Sequence, residues 1–287
     1  MEMQMPPLLC IDGDILMHLA CRYDRWQQKC KREGDVLLVE INENGYVLEE
    51  FTKEEDRKYM EESWKNFKKL LNKIQDDCWS SDFKMAVRGD NNFRDEIWPE
   101  YKANRRRQAV KNPSRRIEFV KAITELAVFE GYAVPAHGRE ADDLVRIWAE
   151  ECIKENREHI VVTNDKDLRC IPGKFYDPKE NVLFEVDAET AMANYYTQLL
   201  CGDSTDNIPG VPGLGVKGAT NLISTLSTEE EYQEAVIANY ISAYQDEWHD
   251  MLILNGKLIH IQRTMDDVFS VDNWPLAIEL RGLMNDQ

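Results

Sequence analysis

The sequence predicts an α/β fold in which helices flank a mostly parallel central sheet, followed by a helical C-terminal region. Up to about residue 187, short apolar runs alternate with stretches of helical periodicity, which is typical of a parallel sheet covered on both faces. Beyond that point, helical stretches separated by one Gly/Pro-rich loop fill the chain. We therefore expect an α/β core over residues 1–187 and a helical region over 188–287.

The elements of the core follow from the same pattern. Asn44–Gly45 suits the tight turn of a hairpin over residues 36–51, which looks like an insertion and which we interpret as a surface ornament rather than a binding arm. The other predicted strands are 8–11, 83–87, 132–136 and 159–163, with a second hairpin at 173–187. The predicted helices are 15–31, 53–75, the basic stretch as far as residue 130, and 140–155.

Composition excludes several classes of protein. Hydrophobic residues make up 43% of the chain and charged residues 31%, which is the balance of a globular protein rather than of a disordered or fibrous one. No apolar run is long enough to span a membrane, and the N-terminus lacks the order of a secretory signal. Seven scattered cysteines without a Cys-x-x-Cys pair argue against disulfides and zinc. We expect a cytoplasmic protein.

Basic residues are concentrated in one segment although the formal net charge is −18. From Lys102 to Arg116 there are seven basic residues and no acidic one. Taken alone, such a run is equally well explained as a solvated face or a floppy arm. Beside a catalytic site, it would hold a phosphate backbone.

Acidic residues follow the predicted strands of the core. Asp12 and Asp14 come after the first strand, Asp90 after the strand that follows the long helix, and Asp165 and Asp167 after the strand that ends at Thr163. Because the carboxyl ends of parallel strands meet at one edge of the sheet, these side chains should converge. Ordinary turn formation is the alternative role for each pair taken alone.

Two more acidic groups belong to predicted helix ends. The stretch GREADDLV begins a helix with Glu140, Asp142 and Asp143, and GDSTDN places Asp203 and Asp206 after another helix. Acids in a first helical turn also suit the helix dipole, so helix capping is the alternative for the first group.

Carboxylates gathered at one edge repel each other unless a multivalent cation offsets their charge. All-oxygen ligands favour Mg²⁺, with Mn²⁺ as a substitute, and two such ions ~4 Å apart could activate water and clamp both oxygens of a phosphodiester. In residues 207–223, Gly213 and Gly215 precede Lys217 in a loop that lets backbone N–H groups approach a phosphate. A plain turn between helices explains this loop equally well.

The ordered motifs DGD, YKxNR, EADD, NDKDL, GDxxDN and GxGxK resemble those of the 5′ nuclease family, which includes flap endonucleases and the 5′ nuclease domains of bacterial DNA polymerases. The resemblance covers nearly the whole chain and is closest in character to the stand-alone exonucleases of T7-like bacteriophages, with no polymerase domain expected to follow. It implies a PIN-like core with a helical arch near 95–116 and a helix-three-turn-helix element near 188–226.

The resemblance also implies roles for individual residues. The acids expected to ligate or support metal ions are Asp12, Asp90, Glu140, Asp142, Asp143, Asp165, Asp167, Asp203 and Asp206. In the arch, Lys102 and Arg105 would act on the scissile phosphate, while Tyr101, Arg106 and Arg107 would contact DNA. Gly213, Gly215 and Lys217 would grip the duplex backbone, with K⁺ bound at 213–217.

The activity implied is that of a metal-dependent 5′-to-3′ exonuclease or structure-specific flap endonuclease. Its substrate would be DNA with a 5′ end or flap, together with RNA in RNA–DNA hybrids, and the protein would act as a monomer. A magnesium-dependent phosphatase of the haloacid dehalogenase type is an alternative, because it also places Asp-x-Asp after a first strand. The other alternative is a non-catalytic nucleic-acid-binding relative, which would retain the basic arch and lose the acids.

Overall fold

A six-stranded sheet forms the centre of the molecule. The computed structural model describes residues 5–21, 39–41, 47–49, 53–111 and 115–285. The strands are β1 (Leu8–Asp12), β2 (Val39–Ile41), β3 (Val47–Glu49), β4 (Phe83–Asn92), β5 (Val134–Gly138), β6 (His159–Val162), β7 (Gly173–Asp177) and β8 (Val182–Val186). The main sheet has the order β5-β4-β1-β6-β7-β8, and every pairing in it is parallel except β7 with β8. The predicted mostly parallel sheet is confirmed.

Helices cover the sheet and then form the C-terminal region. They are α1 (Gly13–Ala20), α2 (Lys53–Asp77), α3 (Phe93–Ile97), α4 (Ala103–Lys111), α5 (Arg115–Phe129), α6 (Ala141–Lys154), α7 (Ala188–Cys201), α8 (Val216–Ile223), α9 (Glu229–Tyr244), α10 (Trp248–Ile259) and α11 (Pro275–Asn285), with short 3₁₀ turns at Asp167–Cys170 and Gln245–Glu247. No helix in these described ranges is long and apolar enough to cross a membrane.

The central strand β1 is buried on both faces, as its unbroken apolar sequence predicts. Leu9 and Ile11 pack in a core that includes residues of α1, α2 and α5, whereas Leu8 and Cys10 pack in a second core with α6. Because both faces are covered, the polar ends of the strands are the positions from which this sheet can present chemistry to solvent.

Two predicted helices differ from the observed ones. The helix predicted at 15–31 ends at Ala20, and residues 22–38 lie outside the described residues. The basic stretch contains two described helices, α4 and α5, with residues 112–114 outside the described ranges. The inserted hairpin is confirmed as the antiparallel pair β2 and β3, although its turn, 42–46, is not described.

The helical region is joined to the sheet through α7. Ala191 of this helix packs in the core on one face of the sheet, whereas Tyr196 and Leu199 pack in the core of the C-terminal helices. Asp187 caps α7 by accepting a hydrogen bond from the Thr190 N–H at 2.7 Å. A boundary at 187 therefore coincides with a helix start, and the division into two domains stays a prediction.

Candidate active site

Six of the predicted acidic ligands line one open pocket at the carboxyl edge of the sheet. They are Glu140, Asp142, Asp165, Asp167, Asp203 and Asp206. Three residues from the predicted arch, Tyr101, Lys102 and Arg105, line the same pocket. Charged residues thus meet in this pocket from four parts of the fold: the strand ends, the start of α6, the turn after α7 and the predicted arch.

Asp12 and Asp165 are joined through one hydroxyl. Asp12 ends β1 and is only 4% exposed. Thr163 Oγ1 donates to Asp12 Oδ2 at 3.0 Å and accepts from the Asp165 N–H at 2.9 Å. Asp167, whose N–H donates to Asp165 Oδ1 at 3.0 Å, is held in turn by the side-chain amide of Gln198. Neighbouring strands therefore deliver these carboxylates to one place, as their position after β1 and β6 predicts.

The adjacent residues Asp142 and Asp143 have different environments. Asp142 faces the pocket, whereas Asp143 is 0% exposed. The Arg94 guanidinium donates to both oxygens of Asp143, at 2.7 and 2.9 Å, and the N–H groups of Glu140 and Gln262 donate to them at 2.9 Å each. Because four protein donors occupy its oxygens, Asp143 is placed to support the pocket acids rather than to ligate a metal ion directly, and its predicted part in the metal site stays a prediction. Asp143 anchors the start of α6.

Asp90 also lies apart from the acidic group. Strand β4 continues to Asn92 instead of ending at Val87, so Asp90 belongs to the irregular last part of a strand rather than to the turn after it. Its side chain is exposed, its backbone N–H faces His137 Nδ1 at 3.5 Å, and it is absent from the described lining of the pocket. The predicted role of Asp90 as a metal ligand has no support in this arrangement.

A tight turn after α7 supplies Asp203 and Asp206. Asp203 pairs with Ile208 in an isolated β-bridge, and the N–H of Asp206 lies 3.4 Å from Asp203 Oδ1. Gly202 has φ +66°, and a Cβ placed there would lie 2.3 Å from the Ile208 carbonyl oxygen, so the turn needs glycine. A helix precedes this acidic pair, whereas the phosphatase alternative requires a strand there.

Burial and repulsion between carboxylates raise the pKa values of three acids at this edge of the sheet: Asp12, Asp142 and Asp167. Burial, followed by the charge of Asp14, raises the pKa of Asp12 to about 7. Burial and then the charges of Asp165, Asp203 and Asp206 raise the pKa of Asp167 to about 7. The pKa of Asp142 is also raised by burial and by its neighbours. The group therefore carries more negative charge than its protein surroundings compensate.

The arch cations Lys102 and Arg105 compensate one side of the pocket. Lys102 Nζ forms an ion pair with Glu140 and lies 3.6 Å from Asp206 Oδ2, and an Arg105 guanidinium nitrogen lies 2.7 Å from Asp206 Oδ1. Burial alone would raise the pKa of Glu140, but the charges of Lys102 and Arg94 hold it below its usual value. These two arch cations are thus placed at the mouth of the acidic group.

Tyr101, Arg106 and Arg107 are placed differently from one another. Tyr101 is 2% exposed and its hydroxyl donates to Glu140 Oε2 at 2.9 Å, so it orients a pocket acid instead of offering a surface to DNA. Arg106 and Arg107 are exposed. They pair with Asp95 at 2.7 Å and Glu100 at 3.0 Å, respectively. The two arginines are accessible for the predicted DNA contact, whereas Tyr101 is buried and is not accessible.

The predicted phosphate-binding loop lies between α7 and α8. Gly213, Gly215 and Lys217 are all exposed, and Gly213 adopts φ +80° with no atom within 4 Å of the place where a Cβ would lie. The loop leads into the N-terminus of α8, which begins at Val216. The backbone here is open to an approaching anion, as the glycine spacing predicts.

Several residues that shape the pocket carry no strong signal in the sequence. Arg94, Gln198 and Asn92, which donates to Glu140 Oε1 at 3.1 Å, are single polar residues without a motif around them. Thr163 follows its strand two residues before Asp165, which is the spacing of a hydroxyl-capped turn and could have identified it. The roles of Asn92, Arg94 and Gln198 depend on partners that lie 31 to 49 residues away along the chain, so no local pattern indicates them.

The donor set fits a hard divalent cation. All the pocket acids offer oxygen ligands, and the raised pKa values of Asp12 and Asp167 reflect burial and nearby negative charge that a cation would offset. Within the described ranges, no group of three or more His, Cys, Asp or Glu side chains is arranged to hold an ion as it stands. Carboxylates that repel each other are expected to move together when a cation binds between them. We therefore judge that the pocket suits a divalent cation from the oxygen donors that line it, not from the distances between them.

We expect the melting temperature, measured without divalent ions, to fall as pH rises. Asp12 and Asp167 have a pKa of about 7 in the folded protein against 3.8 for an ordinary aspartate, so the folded state binds more protons through this window. Stability from these groups is present below pH 3.8 and is lost as pH rises towards about 7. Calorimetry in EDTA and in Mg²⁺ measures this, and Mg²⁺ should reduce the fall. A fall of the same size in the Asp12→Asn variant would contradict the assignment.

Comparison with known proteins finds one matching family model and several relatives among bacterial DNA polymerases. Residues 46–179 match the family model described as the 5′-3′ exonuclease N-terminal resolvase-like domain. DNA polymerase I of Bacillus caldotenax is 27% identical over 227 residues, which cover 72% of this chain and 25% of that protein. DNA polymerase I of Borreliella burgdorferi is 30% identical over 153 residues, covering 47% of this chain and 16% of that protein. The chain thus spans a quarter or less of the length of these relatives.

Solved structures show the same fold. A protein of phage T5 co-crystallized with metal ions matches with a TM-score of 0.57 at 17% identity, over 90% of this chain and 89% of that one. A complex of the bacteriophage T5 flap endonuclease with DNA and metal ions matches with a TM-score of 0.60 at 16% identity, with the same coverage of both chains. These structures share the fold of this chain, a mostly parallel sheet flanked by helices with a helical C-terminal region. Residues 46–179 of this chain are thus similar to the 5′-3′ exonuclease N-terminal resolvase-like domain, and the DNA polymerase I relatives match part of the chain at 27–30% identity.

Proposed function

We propose that this chain is a divalent-metal-dependent 5′ nuclease that hydrolyses phosphodiesters of DNA at or near a 5′ end, as an exonuclease or as a flap endonuclease. The observation that carries the proposal is the convergence of six carboxylates in one pocket beneath Lys102 and Arg105. The DNA polymerase I relatives and the flap endonuclease solved with DNA and metal ions support this assignment.

Divalent ions would be held by the pocket acids. The residues assigned to them are Asp12, Glu140, Asp142, Asp165 and Asp167, with Asp203 and Asp206 contributed by the turn after α7. A pair of bound ions would supply Lewis acidity and a lowered pKa for water. We assign Mg²⁺ to the pocket, with Mn²⁺ as a substitute, and K⁺ to residues 213–217.

The chain's own cations hold the substrate. Lys102 and Arg105, which pair with Glu140 and Asp206, would transfer to the scissile phosphate once metal ions offset the acids. Tyr101 keeps Glu140 oriented through its hydroxyl. Water attacks the phosphorus and the bond to the 3′ oxygen breaks, which leaves a 5′-phosphate on one product and a 3′-hydroxyl on the other.

More distant contacts would position the duplex. Arg106 and Arg107 lie exposed on the arch, and Gly213, Gly215 and Lys217 lie exposed in the loop before α8. We assign both groups to the phosphate backbone, and we propose that the protein acts as a monomer in the cytoplasm. RNA in RNA–DNA hybrids is included among its substrates.

A substrate panel tests the proposed function. Purified protein with Mg²⁺ should cut labelled duplex, 5′-flap and RNA–DNA hybrid substrates, yield 5′-phosphorylated products, and stop in EDTA. The same preparation should not hydrolyse p-nitrophenyl phosphate. Release of phosphate from that small ester without any cleavage of DNA would favour the phosphatase, and metal-independent DNA binding without cleavage would favour a non-catalytic relative.

Replacing Lys102 with alanine is expected to slow cleavage more than it weakens binding. Removing a cation aimed at the reacting phosphate should lower the single-turnover rate about 100-fold. One phosphate contact contributes only about 0.9 to the slope of the logarithm of the binding constant against the logarithm of the salt concentration. Affinity for DNA should therefore change little. Rapid-quench kinetics and fluorescence anisotropy separate the two quantities. The matched control is Lys121→Ala on the exposed side of α5. An unchanged rate with weakened affinity would contradict the proposed role.

A further inference from the structure

Asn207, the last residue of the GDSTDN motif, contacts the residues that lead into the arch. The side-chain amide of Asn207 donates to the backbone carbonyl oxygen of Glu100 at 2.9 Å. The backbone carbonyl oxygen of Asn207 accepts from the Trp98 indole N–H at 3.1 Å. Next to it, the Asp206 carbonyl accepts from the Lys102 N–H at 2.9 Å. We call residues 98–102 the arch base. Three hydrogen bonds therefore fasten the arch base to the acidic turn.

Backbone geometry shows that this junction is constrained. Lys102 has φ +53° and Asn207 has φ +59°, both in the left-handed region. Asparagine adopts this region more readily than most residues, whereas lysine does so only where its surroundings hold it. The Lys102 backbone is held by its hydrogen bond to Asp206, next to Asn207. The position of the Lys102 side chain therefore depends on the contacts of the turn.

We propose that Asn207 is a positioning residue that keeps the arch base in register with the pocket acids and thereby determines which phosphate is cut. The inference rests on the proposed nuclease function. Asp206 and Asn207 are adjacent, so the hydrogen bonds of Asn207 fix the arch base relative to the acids themselves. Successive phosphates of one strand are spaced ~3.4 Å along a duplex axis, so a shift of that order would offer a neighbouring phosphate to the same cations.

Substitutions at Asn207 separate its side chain from its backbone conformation. Asn207→Gly accepts φ +59° without strain and removes the amide, and Asn207→Asp retains the shape but loses the donor to Glu100. Trp98→Phe removes the indole N–H and keeps an aromatic ring. Asn156→Gly is the matched control, because Asn156 is exposed and has φ +52° in the turn after α6.

Cleavage of a 5′-flap substrate is the functional measurement. In all three test variants, we expect the single-turnover rate to fall on the order of 10- to 100-fold with the dissociation constant for DNA nearly unchanged, because a ~1 Å misplacement can reduce a rate about 100-fold. Products should spread to neighbouring phosphates, and Asn156→Gly should match the unchanged protein. Cleavage at the original rate and position by Asn207→Gly would overturn the inference.

Amide hydrogen exchange tests the junction without relying on activity. The Lys102 amide should exchange faster in Asn207→Gly and Trp98→Phe than in the unchanged protein, while amides of β1 keep their protection. Unaltered exchange at Lys102 would overturn the inference even if the rate fell. If the unchanged protein cuts no DNA, the proposed nuclease function fails, and the inference fails with it because no phosphate is then selected. If the unchanged protein cuts DNA and the variants match it, only the inference fails.

Discussion

Replacing Asp142 with asparagine is expected to lower the single-turnover rate of DNA cleavage about 1,000-fold, which corresponds to a loss of ~4 kcal/mol of transition-state stabilisation. Asp142 lines the pocket, and burial, followed by the charges of Asp12, Asp165 and Glu140, raises its pKa well above the usual value. An amide keeps its shape but removes an anionic ligand from the proposed metal site. Rapid-quench kinetics on a labelled 5′-flap substrate at saturating Mg²⁺ measures the effect.

Two comparisons make the Asp142 result specific. Glu125→Gln removes an exposed carboxylate from α5, away from the pocket, and should leave the cleavage rate unchanged. In EDTA, the melting temperature of Asp142→Asn should be no lower than that of the unchanged protein, because the substitution removes charge from a group whose members repel each other. A variant that cleaves at the original rate would exclude Asp142 from the metal site.

Replacing Arg94 with methionine is expected to lower the free energy of unfolding by about 3–5 kcal/mol, the usual effect of leaving a buried charge without its partner. Arg94 is 2% exposed and Asp143 is 0% exposed. The guanidinium also donates to the carbonyl oxygens of Leu258 and His260, at 3.0 and 2.7 Å, at the end of α10. The variant therefore loses the contact between α6 and the helical region as well as the ion pair. Urea denaturation measures the change.

The double variant Arg94→Met with Asp143→Leu serves as the control for this ion pair. Removing both charges should restore only part of the lost stability. An apolar pair avoids an unpaired buried charge, but the N–H groups of Glu140 and Gln262 and the carbonyl oxygens of Leu258 and His260 lose these hydrogen bonds. A loss below ~1 kcal/mol in the single variant would show that the ion pair does not anchor α6.

The sheet and the position of its acids could be predicted because both depend on local patterns. The run Leu8–Asp12 is apolar enough to be buried on both faces, and parallel strands necessarily end at the same edge. Acids at the ends of β1 and β6 are therefore expected to converge, and this expectation needs no knowledge of the long-range contacts in the fold. The predicted end of β4 at Val87 was wrong because the length of this strand depends on its pairing with β5, a neighbour far along the chain.

The sequence by itself determined the α/β class, the acidic edge and the basic segment Lys102–Arg116, since each follows from periodicity, strand ends or charge within a short segment. Only the tertiary structure separated Asp142 from Asp143. Adjacent helical residues point about 100° apart, so one of them faces the pocket and the other faces Arg94, 49 residues earlier in the chain. Which acid meets a cation of the protein and which remains available for a metal ion depends on a contact that no local pattern contains.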